Sequence, residues 1–497
     1  MTAVYLIEAT PYDPDASAEV TKRFSIGSLA PTYGGDLWTA RVERSPSFSV
    51  EAFSDPIIGG RSRVSIGTVR ILHGDGGVNL RNLNWYGRSL EVKRGQRGDA
   101  LGDFTTVIRG RITSMRWDRE VFELGVSDLA SELDVPLQDT LYAGSGDDEG
   151  GDDIKGRPKP RCLGKPRNIA PVLVDRANLV YQFSDRAAKA VDAVYDQGLA
   201  LDSEGDISAM SLADIRDWPA CGGRYVTDLA NGLIRLGAPP AGTPTMDAQG
   251  DEDGGSLVQT AADLVRHIAG QVLADPADLD TTSFSDANTS NSSPCSLYVS
   301  GERPTIREVA ERLMASIGGF VAVDASGLLK VGVIEIGTSQ GTVREREIFD
   351  LRRLDVARPY WRRKLGYARA WKVLGQDVID KSAITDANAD FMGQRERFVV
   401  AEDASIKTAL AEARESELST LLDAEADAST ESSRQLSLLG ARRDRYELQL
   451  QNRAHEFEVG ETYTLVHSSL RVPAGQDLIV RRVSERSRES TVLEVWG

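Results

Sequence analysis

Hydrophobic and polar positions alternate through the first 140 or so residues in the way strands require. Val4-Tyr5-Leu6-Ile7 is a short apolar run, and Thr39 to Glu51 alternates imperfectly. Arg61 to Leu72 alternates well, with Val64, Ile66, Val69 and Ile71 at inward positions and one slip at Gly67 that predicts a bulge. Ser89 to Arg94, Thr105 to Trp117 and Glu120 to Ser127 follow, the last two joined as a hairpin by an Asp118-Arg119 turn. Short strands at near-regular spacing with Gly-rich turns predict an antiparallel sandwich or barrel, closed by a short helix from Ser127 to Leu133.

A Gly/Asp-rich break, AGSGDDEGGDDIKG (143–156), leads into the Pro-rich GRPKPRCLGKPRNIAP and a second set of strand signals at Pro171 to Val174, Leu179 to Phe183 and Ala190 to Tyr195. Asp196-Gln197-Gly198 reads as a turn, Tyr225 to Leu236 as a helix or strand, and Ala238 to Ser256 as a linker. The period then changes. Leu257, Ala261, Leu264, Val265 and Ile268 form one helical face, predicting a helix over Thr260 to Leu273. Asp280 to Pro294 reads as a loop. A capping box at Thr305 and Glu308 opens a second helix to Ile317, stopped by Gly318-Gly319 and followed by the hairpin FVAVDASGLLKVGVIEI. Lys364 to Val373 alternates. Ala404 to Leu439 is helical in composition with a weak point near Ser429–Ser433, and the chain closes with strands ending in the hairpin LIVRRVSERSRESTVLEVW.

The fold class that emerges is mixed β and α+β, multidomain, with two β-barrel or sandwich-like domains at the termini joined by α+β domains. The divisions are 1–142, N-terminal and β-rich; 143–256, a second β-rich unit entered by the Gly/Asp-rich loop and Pro-rich segment; 257–340, α+β; and 341–497, a C-terminal β unit with a helical insertion at about 404–439. No exact internal repeat is visible, and the two terminal units are candidates for structural duplicates that sequence no longer shows.

Composition is that of an ordinary globular chain: 497 residues, 41% hydrophobic and 27% charged, enough for three or four units at ~100–200 residues each. No apolar run approaches the ~18 residues a bilayer span needs, and MTAVYLIEATPYDPDAS lacks the charge and apolar core of a secretory signal. Stable membrane insertion is therefore not expected. With 75 acidic and 58 basic residues the net charge is −17, which opposes adhesion to a phosphate backbone but not the passage of nucleic acid through a channel.

Candidate chemistry is sparse. Cys162, Cys221 and Cys295 show no zinc, cluster or disulfide spacing, and His73, His267, His455 and His467 form no ligand pair. Phosphate-loop and nucleophile-elbow motifs are absent, and Ser28 and Ser145 lie in loops without an evident His partner. Cys162, behind Lys159-Pro160-Arg161, has the best electropositive setting of the three thiols but reads as a buried structural residue. Asp147, Asp148, Glu149, Asp152 and Asp153 do not follow a calcium-loop spacing, and neither they nor Asp251, Glu252 and Asp253 read as more than solvated turns. Trp218, Pro219 and the Cys221-Gly222-Gly223 corner, Phe320 and Trp496 read as structural. The expectation is no catalytic, cofactor-binding or metal residue, and no enzyme.

Residues 156–201 resemble a stretch found in tail-tip or baseplate hub proteins of long-tailed, siphovirus-type bacteriophages and related gene-transfer particles. The residues that carry it are Lys155-Gly156, Pro158-Lys159-Pro160, Asn168, Pro171-Val172-Leu173, Asp175, Tyr181-Gln182, and Val194-Tyr195-Asp196 with Gly198. More generic blocks at 122–138, 317–332 and 480–497 also fit. The resemblance implies a structural virion protein: a homotrimeric hub at the tail tip, assembled in the host cytoplasm, that joins the tube end to the tip and conducts DNA during host entry. Its implied partners are a distal-tail ring protein, a tape-measure protein and a central fibre or tip protein, with duplex DNA passing without sticking. Some such proteins carry an iron–sulfur cluster on four cysteines or a fused peptidase or lysozyme module; three scattered cysteines and no such motif set this chain apart. The alternatives are a distal-tail ring or receptor-binding tail protein, or a cell-wall hydrolase.

Overall fold

The computed structural model describes residues 3–497 except 27–30, 45–46, 54–61, 73–77, 119, 208–211, 220, 274, 384–386, 452–455, 469, 471 and 488–489. The architecture is mixed, mostly β and multidomain. Near the N-terminus, seven strands close into a barrel in the order Ala3–Ala9, Ser89–Gln96, Thr105–Trp117, Val121–Ser127, Val69–Leu72, Thr39–Arg44 and Lys22–Ile26. All neighbours are antiparallel except the last two strands, which pair in parallel. Alternate residues such as Ile7, Val92, Ile108, Phe122 and Leu124 fill the interior. On the outer side Leu6 is sealed under Trp38 and Phe104.

The two runs read as single strands from Thr39 and from Arg61 are each divided between two sheets. Thr39–Arg44 and Val69–Leu72 belong to the barrel, whereas Phe48–Glu51 and Arg63–Ile66 leave it as a separate hairpin. The slip at Gly67 is therefore a crossing point and not a bulge. There the Gly67 N–H donates to the Ser47 carbonyl at 2.7 Å, and a Cβ would stand 3.2 Å from the Ser47 backbone.

The hairpin joins the C-terminal sheet. That sheet runs Thr342–Arg344, Thr462–His467, Val472–Ser487, Ser490–Trp496, Arg443–Gln451 and Ile348–Ala357, and Phe48–Glu51 pairs with Val472–Ser487. Barrel and C-terminal sheet consequently share one continuous apolar core. Unlike the barrel, the C-terminal sheet is not closed by pairs among the described residues.

Between them, Ala261–Ala269 and Ile306–Ser316 pack as helices on the hairpin Gly319–Val323 and Leu329–Val333, burying Leu264, Val265, Ile268, Val309 and Leu313 against Val321 and Val331. The expected capping box is formed: Thr305 Oγ1 accepts from the Glu308 N–H at 3.2 Å and Glu308 accepts from the Thr305 N–H at 3.0 Å. Thr305→Ala is expected to lower the thermal midpoint through a loss of about 1 kcal/mol, and Thr305→Ser to restore it; equal midpoints for all three would refute this.

Three expectations fail, and a fourth, left open between helix and strand, is decided as strand, each for a tertiary reason. Asp280 to Pro294 is not a loop: Thr281–Ser290 is a helix, capped by Asp280 and anchored by buried Phe284 and Ala287. Ala238 to Ser256 is not a linker, because Thr245–Gln249 is a largely buried strand pairing with Ala190–Asp196. Tyr225 to Leu236 resolves into a hairpin of Arg224–Asp228 and Leu233–Leu236. The 404–439 segment is not one helix: Ala404–Ala409 and Glu425–Leu439 are helical, but Arg414–Ser419 is a strand parallel to Tyr360–Tyr367. The helix passes unbroken through Ser429–Ser433, with Thr430 and Ser433 donating to carbonyls one turn back and Ser432 to the Arg363 carbonyl.

Candidate functional site: a seam, a clasp and an open sheet edge

The donated hairpin creates a seam that ties the two ends of the chain. Val50 registers with Val483, and Ser49 and Ser484 share a hydroxyl hydrogen bond of 2.7 Å. Arg481 locks the junction from within. Its Nε donates to the Phe53 carbonyl at 2.7 Å, Nη1 to Glu494 at 2.7 Å and Nη2 to Glu51 at 3.0 Å. Arg481 and Glu494 are buried. Such a charge is tolerated only because each donor meets an acceptor.

A second ionic centre clasps the Pro-rich block to the helical unit. Arg161, fully buried between Pro160 and Cys162, reaches Asp185 at 2.8 Å, Gln271 at 2.8 Å and Asp251 at 3.4 Å. Asp251 also meets His267 Nε2 at 2.9 Å. Asp251 is thus a buried partner and not a solvated turn, which corrects the reading of its loop; Glu252 and Asp253 remain exposed. Burial holds the Asp185 carboxyl above its ordinary range despite Arg161. Composition alone hides this centre. Its one sequence signal is an arginine set within the short apolar strand Arg161–Leu163.

The residues carrying the family resemblance have structural duties. Asn168 is buried with φ 50°, its N–H donating to Asp247 at 2.8 Å and its side-chain amide donating to the Lys372 carbonyl. Tyr195 also donates to Asp247, and Asp196 accepts from the Ala241 and Gly242 N–H groups. Gln197 and Gly198, at φ 51° and 85°, make the expected turn.

Among the described residues, the candidates are placed as follows. Cys162 is fully buried and burial raises its thiol strongly; Cys295 behaves likewise, and Cys221 is exposed. No hydrogen bond joins Ser145 to a histidine among the described residues; Ser28, His73 and His455 lie outside them. In the acidic loop, Glu149 pairs with Lys159 at 2.5 Å and Asp147 with Arg216 at 2.7 Å. Arg216 also holds Asp175, so the adjoining cleft of about 650 Å³ is bordered by internal ion pairs. No group of three or more potential metal ligands occurs among the described residues, and none of their helices is long and apolar enough to cross a membrane. Phe320 and Trp496 are core residues, as expected, and Trp218 lies 5.9 Å from the Arg235 guanidinium.

One buried carboxylate is poised to titrate. Asp423 accepts from Ser296 Oγ at 2.7 Å, and burial raises it to about 7, against the opposing pull of that hydrogen bond, Lys165 and Arg167 and with the help of Asp427. A folded-state value above the unfolded one means the native protein binds the extra proton, so stability falls as pH rises from about 4 to about 7. Asp423→Asn is expected to flatten this slope and to gain about 1–3 kcal/mol at pH 8. Urea midpoints at pH 5 and 8 measure it; an unchanged slope would refute the assignment.

The remaining surface feature is an open edge. Ile348–Ala357 pairs only with Arg443–Gln451 among the described residues, and it carries Phe349 at 65% exposure and Leu354 at 38%. Two register shifts kink it, a common way to blunt an edge against uncontrolled pairing.

No family model and no curated protein matches the sequence. Among solved structures, the chain is similar to a tail protein from Neisseria meningitidis MC58 at 11% identity and TM-score 0.39, over 99% of this chain and 96% of that one. It is similar to the 43 kDa tail protein of prophage MuSo2 from Shewanella oneidensis at 7% identity and TM-score 0.37, over 99% and 98%. A chain of a native gene transfer agent virion is similar at 14% identity and TM-score 0.44, over 69% and 84%.

Proposed function

We propose that the chain is a structural virion protein, a hub at the tail tip or baseplate that tiles a ring as a homotrimer. The single observation that carries this reading is the seam: the two terminal β units are one interlocked body, joined through a buried arginine and a donated strand. A tile that must hold while a tail tip opens gains from such interlocking, since separating the ends requires a strand to be pulled from a sheet. The uncovered Ile348–Ala357 edge gives such a tile a face for its neighbours. The motif residues of 156–201 add support from sequence. The divisions at 142, 256 and 340 belong to this reading, with the 48–66 hairpin assigned to the C-terminal sheet. Its partners are a distal-tail ring protein, a tape-measure protein and a central fibre or tip protein. Net acidity suits a lumen that lets DNA slide.

Electron cryomicroscopy of purified particles, with the chain labelled by an antibody, tests the proposal. Label at the distal end of the tail tube in threefold-symmetric density is the expected result. A chain absent from particles, or present there without rotational symmetry, would overturn it.

A further inference from the structure

An arginine-rich patch stands out in this acidic chain. Arg369, Lys372, Arg395 and Arg397 are brought together where the 367–372 segment runs between two neighbours. The Ala370 N–H donates to the Arg395 carbonyl at 2.9 Å, the Lys372 N–H to the Asn168 carbonyl at 2.7 Å, and Arg397 to the Ala368 carbonyl at 3.1 Å. Arg312, on the Ile306–Ser316 helix, adds its charge from beside them. Among the described residues none of these five cations makes an ion pair with a carboxylate, whereas about half of the arginines elsewhere do. Partial burial and then the charges of Arg395 and Arg312 hold Arg369 below its ordinary value, against the smaller opposing pull of Glu396 and Glu302. Like charges are held together here by the fold, not by one another, and a partner of opposite sign would relieve them.

The surroundings favour a protein partner over nucleic acid. The aromatic faces that would stack bases are already taken: Phe391 is buried between the guanidiniums of Arg167 at 3.8 Å and Arg397 at 4.2 Å, and Trp371 is covered by Arg369 at 4.6 Å. Val373, 44% exposed, adds apolar surface beside Lys372.

The same chain carries the matching surface. The 143–156 loop is held rigid by Ile154 in the core, by the Glu149–Lys159 pair and by a hydrogen bond of 2.8 Å from the Gly146 N–H to the Gly150 carbonyl. It presents Asp152 and Asp153 to solvent with no ion pair of their own among the described residues. We infer that the Arg369–Lys372–Arg395 patch receives the acidic 147–153 loop of a second copy of this chain. Patch and loop are different surfaces, so the contact is heterologous and propagates head to tail until rotation closes a ring. The inference rests on the hub reading and names the side chains that would set its subunit contact.

Sedimentation velocity of the full chain tests it. Self-association is expected at low salt and to weaken at about 1 M salt, where the Debye length is only about 3 Å. Reversing two exposed patch charges (Arg395→Glu with Lys372→Glu), or two loop charges (Asp152→Lys with Asp153→Lys), is expected to weaken association at least about tenfold. Combining all four reversals in one chain is expected to restore it, which misfolding would not do. Wild-type association in either double variant, no restoration in the quadruple variant, or a wild type that stays monomeric would overturn the inference. So would a fluorescent DNA duplex whose binding is lost in the patch variant while self-association persists. A chain found in the tail-tip ring whose association ignores these charges defeats this inference alone; absence from the particle defeats the hub reading itself.

Discussion

Arg481→Met is expected to lower the unfolding free energy by about 3–5 kcal/mol and to loosen the donated hairpin before the rest of the molecule. The arginine serves three acceptors at once, the Phe53 carbonyl, Glu494 and Glu51. Glu494 keeps Arg445 at 3.2 Å and Arg482 at 3.4 Å when the guanidinium is gone. Glu51 has no second ion pair among the described residues, so the cost falls on the strand that crosses from one end of the chain to the other. Urea denaturation gives the global loss. Amide exchange gives its location, with Phe48–Glu51 losing protection while barrel strands such as Val121–Ser127 keep theirs. Arg352→Met, at an exposed pair, is the control and is expected to change stability by under about 0.5 kcal/mol. A loss below about 1 kcal/mol, with the hairpin amides still protected, would show that the seam does not depend on this residue.

The seam also marks how far the chain could be read in advance. Alternation revealed the strands at Arg63–Ile66 and Val69–Leu72, because burial on one face imposes a period of two whatever the partner. Alternation carries no label for the sheet a strand joins, so a crossing between sheets and a bulge within one look alike at Gly67. The Thr305 helix was legible because its cap and its apolar face lie within a dozen residues. Arg414–Ser419 was not: RESELS has helical composition, and only pairing with Tyr360–Tyr367, about 50 residues earlier, makes it a strand. The Thr281–Ser290 helix erred the other way, its polar composition outweighed by a cap and two buried anchors. Site residues followed the same rule. Cys162 reads as a buried structural thiol in spite of its basic neighbours, whereas Asp251 looks like Glu252 and Asp253 until Arg161 and His267 are brought to it by the fold.

Arg161→Met is expected to cost about 3–5 kcal/mol near neutral pH, and the cost is expected to shrink with acidity. Without the guanidinium, Asp185 and Asp251 are left facing each other in a buried site, with Arg186 as a cation whose charge still reaches Asp185. Burial already raises the Asp185 carboxyl in the native protein, and removing Arg161 takes away the two larger influences that oppose that rise, leaving only the smaller one of Arg186. The variant's folded state therefore binds a proton over a wider range than wild type, so its stability declines with rising pH across that range and recovers as pH falls towards 5. Adding Asp185→Asn is expected to remove most of this pH dependence, because the amide has no charge to strand. Arg161→Lys is expected to recover little, since one ammonium cannot present the planar fork that serves Asp185 on one nitrogen and Gln271 and Asp251 on the other. Thermal midpoints of the four proteins between pH 5 and 8 provide the measurement. A deficit that is the same at both ends of the range would mean that Arg161 acts by filling space and not by neutralising the two carboxylates that join the Pro-rich block to the helices; full recovery with lysine would mean that one positive charge suffices and the planar fork does not matter.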